Sequence, residues 1–319
     1  MQSPSITNTA ALTHAKQVMA YLNRKYLERR DIIQYAMVSM IAGEHVLLLG
    51  PPGAAKSAII NDLCKMIDGA NLFQYLLNTH TSVDELLGPF DQREAQYGRF
   101  KRLTQHKLPE ARIAFLDEIL HATGETLNSL LELLNERTYI QQGQKVKAPL
   151  ISVFGATNED MTKEGPQALY DRFLLRLQIS YLQDAANFRS FLVDRVDRSN
   201  DEYLLAPLQI SELMQLRGAA SHVLIPEAMI DCIVEIRHEC KAKGIYPSDR
   251  RFKQSLKLLQ VAALLDGRNQ IERNDLQLYQ HILWSDEHER KIVTDIISQF
   301  IKSESVVTVD AKSNETHTS

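Results

Sequence analysis

Cysteine is scarce. Only Cys64, Cys232 and Cys240 occur in 319 residues, an odd set with no C-x-x-C spacing. Such a set excludes a disulfide framework and a thiolate zinc site, and it suits a reducing cytosol. Basic excess is lacking too: 36 Lys and Arg stand against 40 Asp and Glu, for a net charge of −4 and a pI of about 6.2. No extended basic stripe offers the footprint that a nucleic-acid backbone requires. No run approaches the roughly 20 apolar residues of a membrane span. The N-terminal "MQSPSITNTAALTHAK" has neither a charged n-region nor an apolar h-region, so it is not a secretory signal. No internal repeat is found. These absences leave a cytoplasmic globular protein with neither nucleic acid nor a stably inserted membrane among its partners. At roughly 150 residues per domain, two domains are expected.

The chain is organised by changes of period. Residues 1–14, rich in Ser, Thr and Asn, are expected to be disordered. Apolar positions then recur at helical spacing from Ala15 to Ile41, interrupted by the charged "NRKYLERRD". After Gly43 the run "HVLLLG" reads as a buried strand, and "KSAIINDLCKMI" returns to helical period. Three further strand-like runs follow, "LFQYLL" (72–77), "RIAFLDE" (112–118) and "LISVFGATN" (150–158), as in a parallel sheet with covered faces. Between the last two, "TGETLNSLLELLNERTY" reads as an amphipathic helix with Thr123 as N-cap. "GPFDQREAQYGRFKRL" (88–103) reads as an excursion turning near Gly98. A boundary is expected near 206, ending an α/β domain at 15–205. Four or so helices then form a small α-domain at 206–302, followed by a disordered tail at 303–319.

Residues 50–57, "GPPGAAKS", nearly match the phosphate loop G-x-x-x-x-G-K-[ST], with Ala55 in place of the last glycine. The order strand, glycine turn, helix is the context such a loop requires. Backbone amides and the positive end of the next helix cradle phosphate oxygens. Gly50 and Gly53 occupy the tightest positions. The whole run Gly50, Pro51, Pro52, Gly53, Ala54, Ala55, Lys56, Ser57 and Ala58 is expected to surround the nucleotide. Lys56 reaches the β/γ-phosphates and the Ser57 hydroxyl sits on Mg²⁺. Ala55 costs little if its backbone is already helical, since only a left-handed conformation penalises its Cβ. "IAFLDE" delivers Asp117 and Glu118 to the carboxyl end of a strand, one to hold Mg²⁺ and one to orient the attacking water. Asn158, in "FGATNE", can both donate and accept, and so can position that water.

In order, "GPPGAAKS", "IAFLDE", "GATNE", "ALYDRF" and "YPSDRRFKQSL" resemble an AAA+ ATPase of the MoxR family, nearest its RavA branch, over residues from about 26 to 300. The resemblance implies a parallel five-stranded αβα P-loop core, a smaller C-terminal all-α lid, and ATP with Mg²⁺. It assigns Lys56 and Ser57 to Walker A, Asp117 and Glu118 to Walker B, and Asn158 to sensor 1. Arg172 becomes an arginine finger acting on a neighbouring subunit; without the resemblance it reads as a helix-surface salt-bridge residue. Arg250, with Arg251 as a substitute, is the sensor 2 candidate. Ala55 becomes a family trait. The excursion falls where the family carries its helix-2 insertion, so Tyr97, Arg99 and Phe100 are candidates for partner contact. Residues 28–31 with Ile32 and Ile33 fall beside the adenine pocket. RavA-type proteins continue into C-terminal domains that this sequence lacks.

The resemblance further implies a homo-oligomeric ring, expected to be hexameric, that hydrolyses ATP to remodel a client. A partner with a von Willebrand factor A (VWA) domain is implied as well. A nucleotide-dependent scaffold with negligible turnover is the second reading, countered by the retention of Glu118, Asn158 and Arg172. A DNA-remodelling motor is the third, countered by the acidic charge balance.

Overall fold

The computed structural model describes residues 6–159, 161, 166–193 and 205–302. The tail at 303–319, expected to be disordered, lies outside them. Helix α1 (Ile6–Lys25) begins inside the segment expected to be disordered. Ala11, Ala15, Val18 and Leu22 form a buried stripe at helical spacing, and this packing overrides the helix-poor Ser/Thr composition. The charged break falls at residues 26–29, where Glu28 takes a left-handed conformation (φ 58°). Helix α2 (Arg30–Ala42) follows and ends on Gly43.

Strand β1 (His45–Leu49) is buried at every position and leads through the glycine turn into α3 (Lys56–Lys65). After β2 (Ile67–Asp68) and β3 (Leu72–Leu76) come the short helices α4 (Val83–Leu87) and α5 (Gln92–Ala95). The excursion at 88–103 is thus a short helix and a turn at Gly98, closed by one antiparallel bridge between Phe90 and Arg102. Arg102 stacks 4.2 Å over the Phe90 ring. Strand β4 (Ile113–Asp117) then precedes α6 (Gly124–Glu136), whose N-cap Thr123 accepts from the Thr126 amide as expected.

Helix α6 stops three residues earlier than its apolar pattern suggests. Arg137 adopts a left-handed C-cap (φ 52°), and Thr138 and Tyr139 open a hairpin, β5 (Thr138–Gln141) and β6 (Gln144–Lys147). Strand β7 (Ser152–Thr157) is fully buried. Helix α7 (Gln167–Arg172) runs directly into β8 (Phe173–Gln178), a strand not singled out among the apolar runs. Helix α8 (Ala185–Val193), β9 (Leu208–Gln209) and α9 (Ile210–Ala220) follow.

The principal sheet has the order β3-β4-β7-β1-β8, and its strands run parallel. Because β1 and β7 show no exposed position, both faces of the sheet centre are covered. Gly155 in β7 permits close packing there: a Cβ would lie 2.9 Å from the Phe173 ring and 3.2 Å from Leu47.

The chain divides into two compact units, residues 1–160 with 166–219 and residues 161–165 with 220–319, so the main division falls at Ala219/Ala220 where 206 was expected. The intervening residues are fastened to the first unit. β9 pairs with β2, and Arg217 donates to the carbonyls of Ile41 and Met40 at the end of α2. The second unit is helical: α10 (Glu227–Ala242), α11 (Asp249–Leu265), a 3-10 helix over Arg273–His281, and α12 (Glu287–Lys302). Its core gathers Ile236, Cys240, Leu259, Tyr279, Trp284 and Val293.

Candidate nucleotide-binding and hydrolytic site

The parallel register brings strand ends together. Leu49 lies beside Thr157, and Leu76 beside Asp117, so the turns after β1, β4 and β7 leave one edge of the sheet. The Gly50 amide donates to Thr157 O at 3.2 Å. A Cβ on Gly50 would stand 2.0 Å from Ile179 O, so glycine is required where the loop leaves the sheet.

Gly53 has φ 77°, and Ala55 has φ 69° and ψ 20°. The condition under which Ala55 would cost little, a helical backbone, is therefore not met. Its backbone is left-handed, the conformation in which a Cβ is penalised, and the loop carries that strain directly before α3. Lys56 is buried, and its ammonium donates to Gly50 O at 2.5 Å and Pro51 O at 3.1 Å, curled over the loop. Ala54 is buried, while Pro52, Gly53 and Ala58 are exposed.

Ser57 Oγ donates to Asp117 Oδ2 at 3.2 Å, which joins the two groups expected to hold Mg²⁺. Among the described residues no three His, Cys, Asp or Glu side chains gather as a metal site. A hydroxyl and one carboxylate beside a phosphate cradle fit a Mg²⁺ that shares its ligands with a nucleotide and water. Glu118 is left-handed (φ 51°), its amide donates to Asp117 Oδ1 at 3.1 Å, and its Oε2 is buried with no hydrogen-bond partner among the described residues. A buried, unsatisfied carboxylate oxygen is costly unless it serves a ligand or water. Asn158 follows β7 and is exposed at the same edge.

Arg172 is not brought to this site. It precedes β8, whose first residue Phe173 pairs with His45 at the opposite end of β1. At about 3.3 Å per residue, it lies roughly 15 Å from the phosphate loop of its own chain, and it pairs with Asp171 at 3.1 Å. Arg250 and Arg251 sit at the start of α11, capped by Ser248. Arg251 is buried and donates from Nε to Ile282 O at 2.8 Å, a structural role, whereas Arg250 is half-buried and donates to Gln254 Oε1.

Some supporting contacts were not readable from the sequence. Tyr181 OH donates to Pro52 O of the loop at 3.0 Å. Arg29 donates to Ser180 O at 2.6 Å, and Glu28 accepts from the amides of Gln183 and Asp184 and from Asn187. Those amide donors hold the Glu28 carboxyl below its usual range. Asp62 on α3 accepts from Tyr26 at 2.6 Å and pairs with Lys25 and Lys65. Burial opposes its charge, but the three donors outweigh this and keep its pKa low. The 26–29 turn is thereby tied to the loop helix and to the 180–187 segment. Ile32 and Ile33, expected beside an adenine pocket, are buried. No local sequence pattern signals these long-range ties.

A strand, phosphate loop and helix, a strand ending in two acids, and a parallel sheet with a separate helical unit define a P-loop protein of the AAA+ type. Residues 13–216 match the family model described as a MoxR domain in the MoxR-vWA-beta-propeller ternary systems, and residues 228–297 match an AAA lid domain. Two uncharacterized proteins of Methanocaldococcus jannaschii are similar: one is 39% identical over 284 residues (88% of this chain, 73% of the relative), the other 36% over 275 (86% and 72%). The chaperone MoxR1 of Mycobacterium tuberculosis is 23% identical over 233 residues, 71% of this chain and 60% of that protein. A putative ATPase from Cytophaga hutchinsonii shares the fold, with a TM-score of 0.74, 20% identity, and coverage of 92% of this chain and 96% of that one. The chain belongs to the MoxR family of AAA+ ATPases, a family that binds nucleotide. No helix among the described residues is long and apolar enough to cross a membrane.

Proposed function

We propose that this chain hydrolyses ATP in a ring, read as hexameric, and uses turnover to remodel or activate a client protein in the cytoplasm. The observation that carries the reading is the placement of Arg172. It is too far from its own phosphate loop to touch a γ-phosphate, whereas an arginine donated by a neighbour accelerates related phosphoryl transfer about 10³–10⁵-fold. A partner with a VWA domain is supported by the description of the matched family model. The chaperone name of the Mycobacterium relative supports client remodelling. Placement nearest the RavA branch rests on the motif order alone.

Lys56 exchanges its bonds to the Gly50 and Pro51 carbonyls for phosphate oxygens, and the loop amides complete the cradle. Ser57 and Asp117 would hold Mg²⁺, which would supply charge neutralisation to the nucleotide's phosphates. Glu118 Oε2 accepts a hydrogen bond from the attacking water, and Asn158 fixes its other side. Arg250, at the start of α11, is the sensor 2 candidate.

Lys56→Ala abolishes nucleotide binding, and Glu118→Gln keeps binding while blocking turnover. Arg172→Ala keeps binding and loses turnover. Mixing the Glu118→Gln and Arg172→Ala proteins restores activity, because some sites then receive Glu118 from one chain and Arg172 from the next. Mixtures as inactive as their components would refute action between subunits. Parental turnover in both the Lys56 and Glu118 variants would refute the hydrolase reading.

A further inference from the structure

The β4–β7 ladder ends at Leu116 opposite Gly155. Beyond that point the two strands form no further ladder pair, and the turns bearing Glu118 and Asn158 leave the sheet without ladder bonds between them. On its other side β7 remains tied to the phosphate loop, through Gly50 N to Thr157 O. On the β4 side a side-chain contact among the described residues links the two turns: His121 Nε2 lies 2.9 Å from Glu159 Oε1. His121 closes the single 3-10 turn that Glu118 begins, its amide donating to Glu118 O at 3.0 Å. Glu159 directly follows Asn158, and its amide is held by Thr157 Oγ1 at 3.1 Å.

We propose that His121 and Glu159 are a positioning pair that fixes the turn carrying Glu118 relative to the turn carrying Asn158; this rests on the hydrolytic reading above. Two observations favour the assignment. Glu118 sits in a left-handed backbone, a conformation that persists only where surrounding contacts over-determine it. Its Oε2 has no partner among the described residues, so the backbone of its turn must aim it. The pair itself is exposed, at 41% and 52% for the two side chains. An exposed pair of this kind adds little to global stability, so its removal should register in catalysis and local order and leave the melting temperature in place.

The test uses the full chain, with His121→Ala, Glu159→Ala and the double variant. Each single change is expected to lower kcat about threefold to tenfold with KM for ATP within about twofold, and the double variant is expected to be no worse than either single. The exchange His121→Glu with Glu159→Lys should recover most of the lost rate. In nucleotide-free protein, amide hydrogen exchange at His121 and Ala122 should quicken in both single variants while the melting temperature holds. Parental kcat and exchange in the singles, or losses that multiply in the double, would overturn the pairing. A parent protein with no ATP turnover would instead sink the hydrolytic reading, and the exchange measurement would still decide whether the pair orders the turn.

Discussion

Ala55→Gly is the substitution on which the loop geometry can be judged. The residue sits at φ 69° and ψ 20°, inside the left-handed region, immediately before α3. That conformation costs an L-residue about 1–2 kcal/mol that glycine does not incur. Glycine gives back about 0.4–1 kcal/mol through the larger freedom of the unfolded chain. The balance favours Ala55→Gly by about 1 kcal/mol, equivalent to a rise of about 2–4 °C in melting temperature. Three residues on, Ala58 is helical and exposed. There the same change has no strain to relieve and should cost about 0.5–1 kcal/mol. Thermal unfolding of the two variants without nucleotide therefore yields shifts of opposite sign. A drop for Ala55→Gly, or the same shift in both, would refute the assigned backbone. Relief of strain should also quicken the loop's own motions, visible as faster amide exchange over residues 53–56.

Other sites offer independent checks. His14 lies with Nε2 2.8 Å from Ala206 O and Nδ1 3.1 Å from Glu212 Oε1, so the ring satisfies both acceptors only as the cation. Burial opposes that charge, but the carbonyl and the carboxylate outweigh it and raise the pKa above 6.5. The stabilisation is then complete below about pH 6.5 and fades as pH rises through the higher folded value. Urea unfolding between pH 6 and pH 8 should show a decline in the parent that is smaller in His14→Gln; equal declines would remove the cationic clamp. Gly155→Ala places a methyl against Phe173 and Leu47 in the sheet centre and should destabilise by about 1–3 kcal/mol, read as a lower denaturant midpoint. Arg251→Lys removes the planar Nε–H that reaches Ile282 O and should lower stability by about 1 kcal/mol with little change in nucleotide affinity, whereas Arg250→Ala should weaken nucleotide binding.

Strands β1, β4 and β7 were legible because a buried parallel strand needs apolar residues on both faces, whereas β3, an edge strand with a single buried position, was legible only from its apolar composition. Strand β8 was not, although five of its six residues are buried. Arg176 interrupts its run, and that side chain is accommodated in the interior by Tyr170 O. The β5–β6 hairpin was hidden by the amphipathic period of α6, which gives no sign that Arg137 will turn left-handed. The phosphate loop and its acids could be nominated from the sequence, since residue types and order suffice to single them out. The backbone state of Ala55, the Glu28 cap on the 183–187 segment and the His121–Glu159 bridge depend on contacts between residues distant in sequence. Periodicity carries no trace of such contacts. The same holds for α1, whose first turns look like a polar tail until Ala11 and Ala15 are seen against the core.

The distance between Arg172 and its own phosphate loop also bears on how activity depends on concentration. Under the proposed ring assembly a solitary chain lacks the finger it must borrow, so turnover per molecule should climb with protein concentration and level off once rings are complete. Dilution then acts as an inhibitor, and a small admixture of finger-less chains silences neighbours that are themselves intact.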